Sequence, residues 1–286
     1  MSNELQVTDL GFSISDMMGG STGAVYSNLP RLGLLNDPIM GVIEIAGKKV
    51  RSEAVPGTNF KLFLDEDTTI YSDKVDIRVF FKRQRWTKWL SDSKDFMRSV
   101  IAEHLNDDLK DTAGTFNCGR VSGYIADYAS LSDAKKSYLR SIKRTQVILG
   151  LVKLVNPVDA TGKAVAHSEW VPFVYEMKNT ESINGLNAIL KRLDTNNIPP
   201  LLKAITLTGA ERQIENGKAF AVFESILSYD TPVVQEDKNT LADFKDWIAN
   251  QNSYVLSKWD EFNSNDNFSA EDRALVGEFI NMDEDE

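Results

Sequence analysis

Val75-Asp76-Ile77-Arg78-Val79-Phe80-Phe81-Lys82-Arg83-Gln84-Arg85-Trp86-Thr87-Lys88-Trp89 is the stretch whose reading decides the fold. Val75, Ile77, Val79 and Phe81 alternate with Asp76, Arg78 and Phe80, and this period of two predicts a β-strand. From Arg78 to Trp89 there are five basic residues, four aromatic ones and no acid. On a strand, Arg78, Phe80, Lys82, Gln84, Trp86 and Lys88 share one face, and Val79, Phe81, Arg83, Arg85, Thr87 and Trp89 share the other. Each face then carries both cation and ring.

Outward from this stretch the signal stays β-rich. Gly41–Ala46, followed by a Gly47-Lys48 turn, and Phe60–Leu64 precede it as strand candidates. Thr145–Val155, Trp170–Met177, Ala204–Leu207 and Lys218–Phe223 follow. Helical spacing predicts helices within Ser91–Leu109, Leu131–Ile142 and Ile183–Leu193, the last stopped by Asn196-Asn197-Ile198-Pro199-Pro200. A long helix follows Pro232, with Leu241, Phe244, Ile248, Val255, Trp259 and Phe262 on it, and Ser269 with Asp272 opens a short terminal one. The expected class is α+β, β-rich, with an OB-like antiparallel barrel core, peripheral helices and a helical acidic C-terminal segment. The expected organisation is an N-terminal arm over 1–39, a nucleic-acid-binding domain over 40–234, and an acidic C-terminal region over 235–286.

The charge is unevenly placed. Residues 235–286 hold 14 acidic and 4 basic residues, which is the whole net charge of −10; the other 234 residues hold 28 of each. The acidic balance therefore does not argue against a nucleic-acid partner. One cysteine and two histidines cannot build a closed zinc site. No cofactor and no metal is expected. The lone Cys118 fits a reducing compartment. No apolar run approaches the ~20 residues of a membrane span, and Met1–Ala24 lacks a secretory signal's pattern. The expected location is cytoplasmic, in the host cytoplasm if the chain is viral, with no membrane partner.

Cations neutralise phosphate and release counterions, while rings offer bases a stacking surface worth ~1–3 kcal/mol each. The first candidate site is therefore Arg78, Lys82, Arg83, Arg85, Trp86, Lys88 and Trp89. Ala134–Val158 is acid-free and adds Arg140, Lys143 and Arg144, and Arg120 and Tyr124 lie between the two runs. Packing of Trp86 and Trp89 into a core is the competing expectation for those rings. The last residues, Phe279 and Ile280 followed by Asp283, Glu284, Asp285 and Glu286, imitate a phosphate backbone and would compete for a cationic groove.

A β-rich body with cationic and aromatic strand residues and an acidic C-terminus resembles the single-stranded DNA-binding proteins of bacteriophages, especially the T7-like kind. That resemblance implies an OB-type barrel, non-specific binding of single-stranded DNA in replication and recombination, and recruitment of a polymerase or helicase by the tail. Homo-oligomerisation stays open. The resemblance departs at the tail, where Phe279 lies inside the end rather than at it.

Two other readings stand beside it. Glu176 and Lys178 end an apolar strand and share a face, with Asp159 upstream, which is the pattern of a magnesium-dependent PD-(D/E)xK-like nuclease. A viral structural or assembly protein with a basic face is the third. No P-loop, nucleophile elbow or paired metal histidines occur, so the leading expectation is a protein that is not an enzyme.

Overall fold

The computed structural model describes residues 29–264 apart from 46–47, 66, 92, 122–124, 126–127 and 214–218. Among them are eleven strands and three α-helices: β1 Arg31–Leu34, β2 Ile39–Ile45, β3 Lys48–Val55, β4 Phe60–Phe63, β5 Thr69–Ser72, β6 Lys74–Leu90, β7 Asp95–Arg98, α1 Asp133–Ser141, β8 Ile142–Val155, β9 Val171–Met177, α2 Thr180–Thr195, β10 Lys203–Gln213, β11 Ala219–Asp230 and α3 Gln235–Ser264. The fold is α+β and rich in strand. The described residues cluster into two compact units. One holds residues up to Lys82 together with Ile148–Phe244; the other holds Arg83–Val147 and the residues from Lys245 on.

In the first unit the strand order is β11-β10-β6-β8-β9-β1-β4-β5. β6 pairs antiparallel with β10 from Ile77↔Ile205 to Lys74↔Thr208, whereas β1 runs parallel to β9. The sheet is mixed and ends at β11 and β5 without closing, which corrects the expected antiparallel barrel. β1 also lies inside the segment expected to be an arm, with Leu32 buried and opposite Leu62.

The alternation in β6 places Val75, Ile77 and Val79 in a core with Phe60, Ile205 and Phe223. α2 lays Ile183, Leu186 and Leu190 on that core. Its first turn is capped by Asn179, whose Oδ1 accepts from the Ser182 amide at 3.0 Å. Apolar residues then run through Val79-Phe80-Phe81 without a break, and the reason lies on the other face of the strand. Phe244 of α3 meets the edges of Phe80 and Phe81, at 5.7 and 6.4 Å between centroids. A strand covered on both faces has no polar side to alternate.

In the second unit the C-terminal half of β6 pairs with β7 from Thr87↔Arg98 to Leu90↔Asp95. The pairing continues through a Gln84↔Ala102 bridge. Here the helix expected within Ser91–Leu109 is replaced by a turn, a strand and extended chain. Phe96 has the helical spacing to Val100, but it meets Trp89 edge-on, with the ring centroids 4.8 Å apart, instead. The Ile101 peptide is held by Asn252 of α3, which accepts from its N–H at 2.6 Å and donates to its carbonyl at 3.0 Å. An amide side chain thus replaces a strand partner, which no local periodicity signals. The helices expected near 131–142, 183–193 and after Pro232 are present, whereas the terminal helix expected from Ser269 lies outside the described residues.

Candidate nucleic-acid interface

The five cations of β6 from Arg78 to Lys88 differ in burial. Arg78, in the first unit, is 4% exposed. Its guanidinium donates to both Asp237 carboxylate oxygens, at 3.2 and 2.8 Å, and to the carbonyls of Leu201 and Pro232. Lys82 is half-buried. In the second unit Arg83 is buried against Glu103 at 3.6 Å, and burial lowers its pKa despite that carboxylate. Arg85 has no exposed surface and donates from Nε to the Ser99 carbonyl at 3.3 Å. Arg78, Arg83 and Arg85 are thus interior in this structure, not on a surface that meets phosphate. The sequence reading assigned cations from both faces of the strand to phosphate contact. It missed that the face of Arg83, Arg85 and Thr87 is turned inward, where Thr87 bonds Thr145 hydroxyl to hydroxyl at 2.8 Å.

The opposite face, with Gln84, Trp86 and Lys88, is half-buried. Trp86 and Lys88 are two residues apart, so their side chains leave the strand roughly 6.7 Å from each other. Each is paired with a partner of complementary chemistry. The Arg120 guanidinium lies over the Trp86 ring at 5.1 Å, and the Lys88 ammonium over the Tyr138 ring at 3.7 Å. Burial lowers the pKa of both Lys88 and Arg120. The set extends outward through Arg140, whose Nε donates to the Tyr128 hydroxyl at 3.2 Å. Lys143 and Arg144, at the start of β8, are exposed and make no ion pair among the described residues.

The loop that carries Arg120 is built around a buried carboxylate. Asp111 accepts from the Ala113 and Thr115 amides, the Thr115 hydroxyl and the Cys118 amide, all within 3.0 Å. Burial raises its pKa against those hydrogen bonds, and raises that of Cys118 as well. Cys118 is a structural thiol with no exposed surface. At Gly119 the backbone has φ 82°, and an added Cβ would lie 2.1 Å from the Tyr138 hydroxyl. Only glycine lets the chain turn there while the tyrosine approaches. Tyr138 is the residue that sequence reading missed. It pairs with a lysine 50 positions away, and nothing near it in the chain signals that.

The other candidates are placed as follows. Trp89 is 50% exposed and leans on Phe96, so it is neither core nor on the Trp86 face. Tyr124 lies outside the described residues, as do Phe279, Ile280, Asp283, Glu284, Asp285 and Glu286. In the first unit, Asp159 folds its own turn. Its Oδ1 accepts from the Thr161 amide and hydroxyl and from the Lys163 amide, and the hydroxyl bond is the largest cause of its lowered pKa. Glu176 and Lys178 are exposed at the end of β9. Among the described residues no group of three or more His, Cys, Asp or Glu side chains is placed to hold a metal ion. Nor is any helix there long and apolar enough to cross a membrane. Comparison with protein-family models, curated proteins and solved structures finds no match.

Proposed function

We infer that this chain binds single-stranded DNA without sequence specificity, in replication and recombination, as the phage proteins it resembles do. The observation that carries this is the face with Arg120 over Trp86 and Lys88 over Tyr138. All four side chains are partly exposed, and ring beside cation is the pairing that non-specific strand binding needs. Arg140, Lys143 and Arg144 of the same unit extend the cationic track. Arg78, Arg83 and Arg85 support the scaffold and are left out of the contact set. The acidic C-terminus competes for the same cations and is released to replication partners when strand binds. The setting is the cytoplasm of the host. Nuclease chemistry at Asp159, Glu176 and Lys178 gains no support from the geometry, since Asp159 is engaged in its own turn.

The test is titration of labelled oligo-dT with the full chain, with and without magnesium. Binding should quench tryptophan fluorescence and weaken steeply with salt. Lys143→Glu with Arg144→Glu should lower affinity at least tenfold at low salt. Unchanged fluorescence with no mobility shift at low salt would end this proposal, and cleavage of the oligonucleotide in magnesium would favour the nuclease instead.

A further inference from the structure

β2 and β3 hydrogen-bond to each other, from Ile39↔Val55 to Ile45↔Lys48, and belong to a separate two-stranded sheet. Their root is fixed in the first unit. Val55 is fully buried, and Gly162, with φ 81°, lies so close to the Ala54 carbonyl that an added Cβ would come within 2.6 Å. Away from the root, described side chains are exposed on each face. The register puts Met40, Val42, Lys49 and Arg51 on one face and Lys48 and Val50 on the other, and all six are exposed, Val42 to 65%. A two-stranded hairpin is marginal in water when nothing covers it. Exposed apolar residues on both faces of one are a contact surface in want of a partner.

Charge selects the partner. Val42–Arg51 holds Lys48, Lys49 and Arg51 against the single carboxylate of Glu44, which is registered opposite Lys49. Glu53 stands nearer the root, opposite Met40. The outer half of the ribbon is therefore cationic, with valines on either face. Shape narrows the choice further. Seven residues of strand reach about 23 Å from the root. A two-stranded ribbon fits the major groove of B-form DNA, about 12 Å wide, whereas the deep, narrow major groove of A-form RNA does not admit it.

We propose that the β2–β3 ribbon is a double-stranded DNA-binding arm that enters the major groove. Lys48, Lys49 and Arg51 reach the phosphates of the groove walls, and Val42, on the face it shares with Lys49 and Arg51, lies against base edges. This site belongs to the first unit and does not depend on the single-strand site of the second. The chain would then hold a duplex and a single strand with different surfaces.

The test uses the full-length protein, with Lys48→Glu, Lys49→Glu and Arg51→Glu combined, and a second variant carrying Gln at the same three positions. Each is titrated with a labelled 20-base-pair DNA duplex, the same sequence as RNA duplex, and oligo-dT. Both variants should keep the wild-type circular dichroism. The Glu variant should lose at least tenfold in DNA-duplex affinity. The Gln variant should lower the slope of log K against log salt by about 2.7, at ~0.9 per phosphate contact. Oligo-dT affinity should stay within twofold, and RNA-duplex affinity should not respond. Equal duplex affinity in wild type and variants would overturn the proposal. So would a wild type that binds no duplex, or a variant that turns an oligomer into a monomer in sedimentation, since the ribbon would then meet a second copy of the chain. If wild type fails on oligo-dT but the ribbon variants still lose the duplex, the single-strand function falls and this site stands.

Discussion

At Arg78 the guanidinium is buried and so is its carboxylate: the two side chains are 5% and 1% exposed. Taking such charges out of water costs several kcal/mol per ion, which the pair's own hydrogen bonds must offset. Here Leu201 and Pro232 carbonyls complete the shell around the guanidinium, and Asp237 also accepts from the Val234 amide at 3.0 Å at the start of α3. Removing one partner strands the other. Arg78→Ala is expected to cost about 3–5 kcal/mol in urea denaturation. Arg144→Ala, at an exposed position without an ion pair among the described residues, should stay within about 0.5 kcal/mol. A loss at Arg78 no larger than that at Arg144 would contradict a structural role for the arginine. The same residues explain why a cation count on a strand misleads. Arg78 and Lys88 look alike in sequence, and only a distant Asp237 or Tyr138 decides which is interior and which faces outward.

At the scale of elements, close approach between strands is the tightest demand. A Cβ built on Gly150 of β8 would lie 2.0 Å from the Arg78 carbonyl oxygen, a backbone atom that cannot swing away. Gly150→Ala must push β8 off β6 at a fully packed place, and a loss of about 1–3 kcal/mol or more is expected. Gly185, on the exposed side of α2, gives the opposite sign. Its added Cβ would meet only the Ser225 hydroxyl, at 3.7 Å, so Gly185→Ala should gain up to ~1 kcal/mol from helix propensity. Chemical denaturation of both variants checks this, and like signs would contradict it. Gly150 sits in an unbroken apolar run and carries no turn signal, so its role was not legible in the sequence. The strand of β6 was legible, because its period of two survives wherever one side is buried. So were α2, with its helical apolar stripe, and α3. The segment after Trp89 was not: its apolar spacing suits a helix, while its partners are a strand and Asn252, both remote in sequence. For the candidate site, the chemistry of Trp86, Lys88 and Arg120 could be read from residue type. The inward turn of Arg83 and Arg85 could not, since alternation assigns two faces without saying which one meets the core.

For the whole molecule, the placement of charge is what regulation has to work with. Residues 1–234 are balanced at 28 acidic and 28 basic, so the net −10 is carried entirely by residues 235–286. The last described turns of α3 belong to the second unit. There Trp259 packs on Phe116 at 4.7 Å and takes Lys110 over its ring at 5.3 Å. The chain thus leaves α3 in the unit that holds Trp86, Lys88 and Arg120. Twenty-two residues follow to Glu286, a contour of at most ~75 Å. Under the proposed function, the four carboxylates of Asp283–Glu286 on so short a tether compete with phosphate for the same cations at a high effective concentration. Deleting Asp283–Glu286 should therefore tighten oligo-dT binding several-fold at low salt. The gain should shrink as ionic strength rises and the Debye length falls to about 8 Å. Restoring four residues as Asn and Gln should leave the gain in place, because charge and not length is displaced. Unchanged or weaker affinity on deletion, or full reversal by the neutral replacement, would show that the terminus does not compete for the strand site.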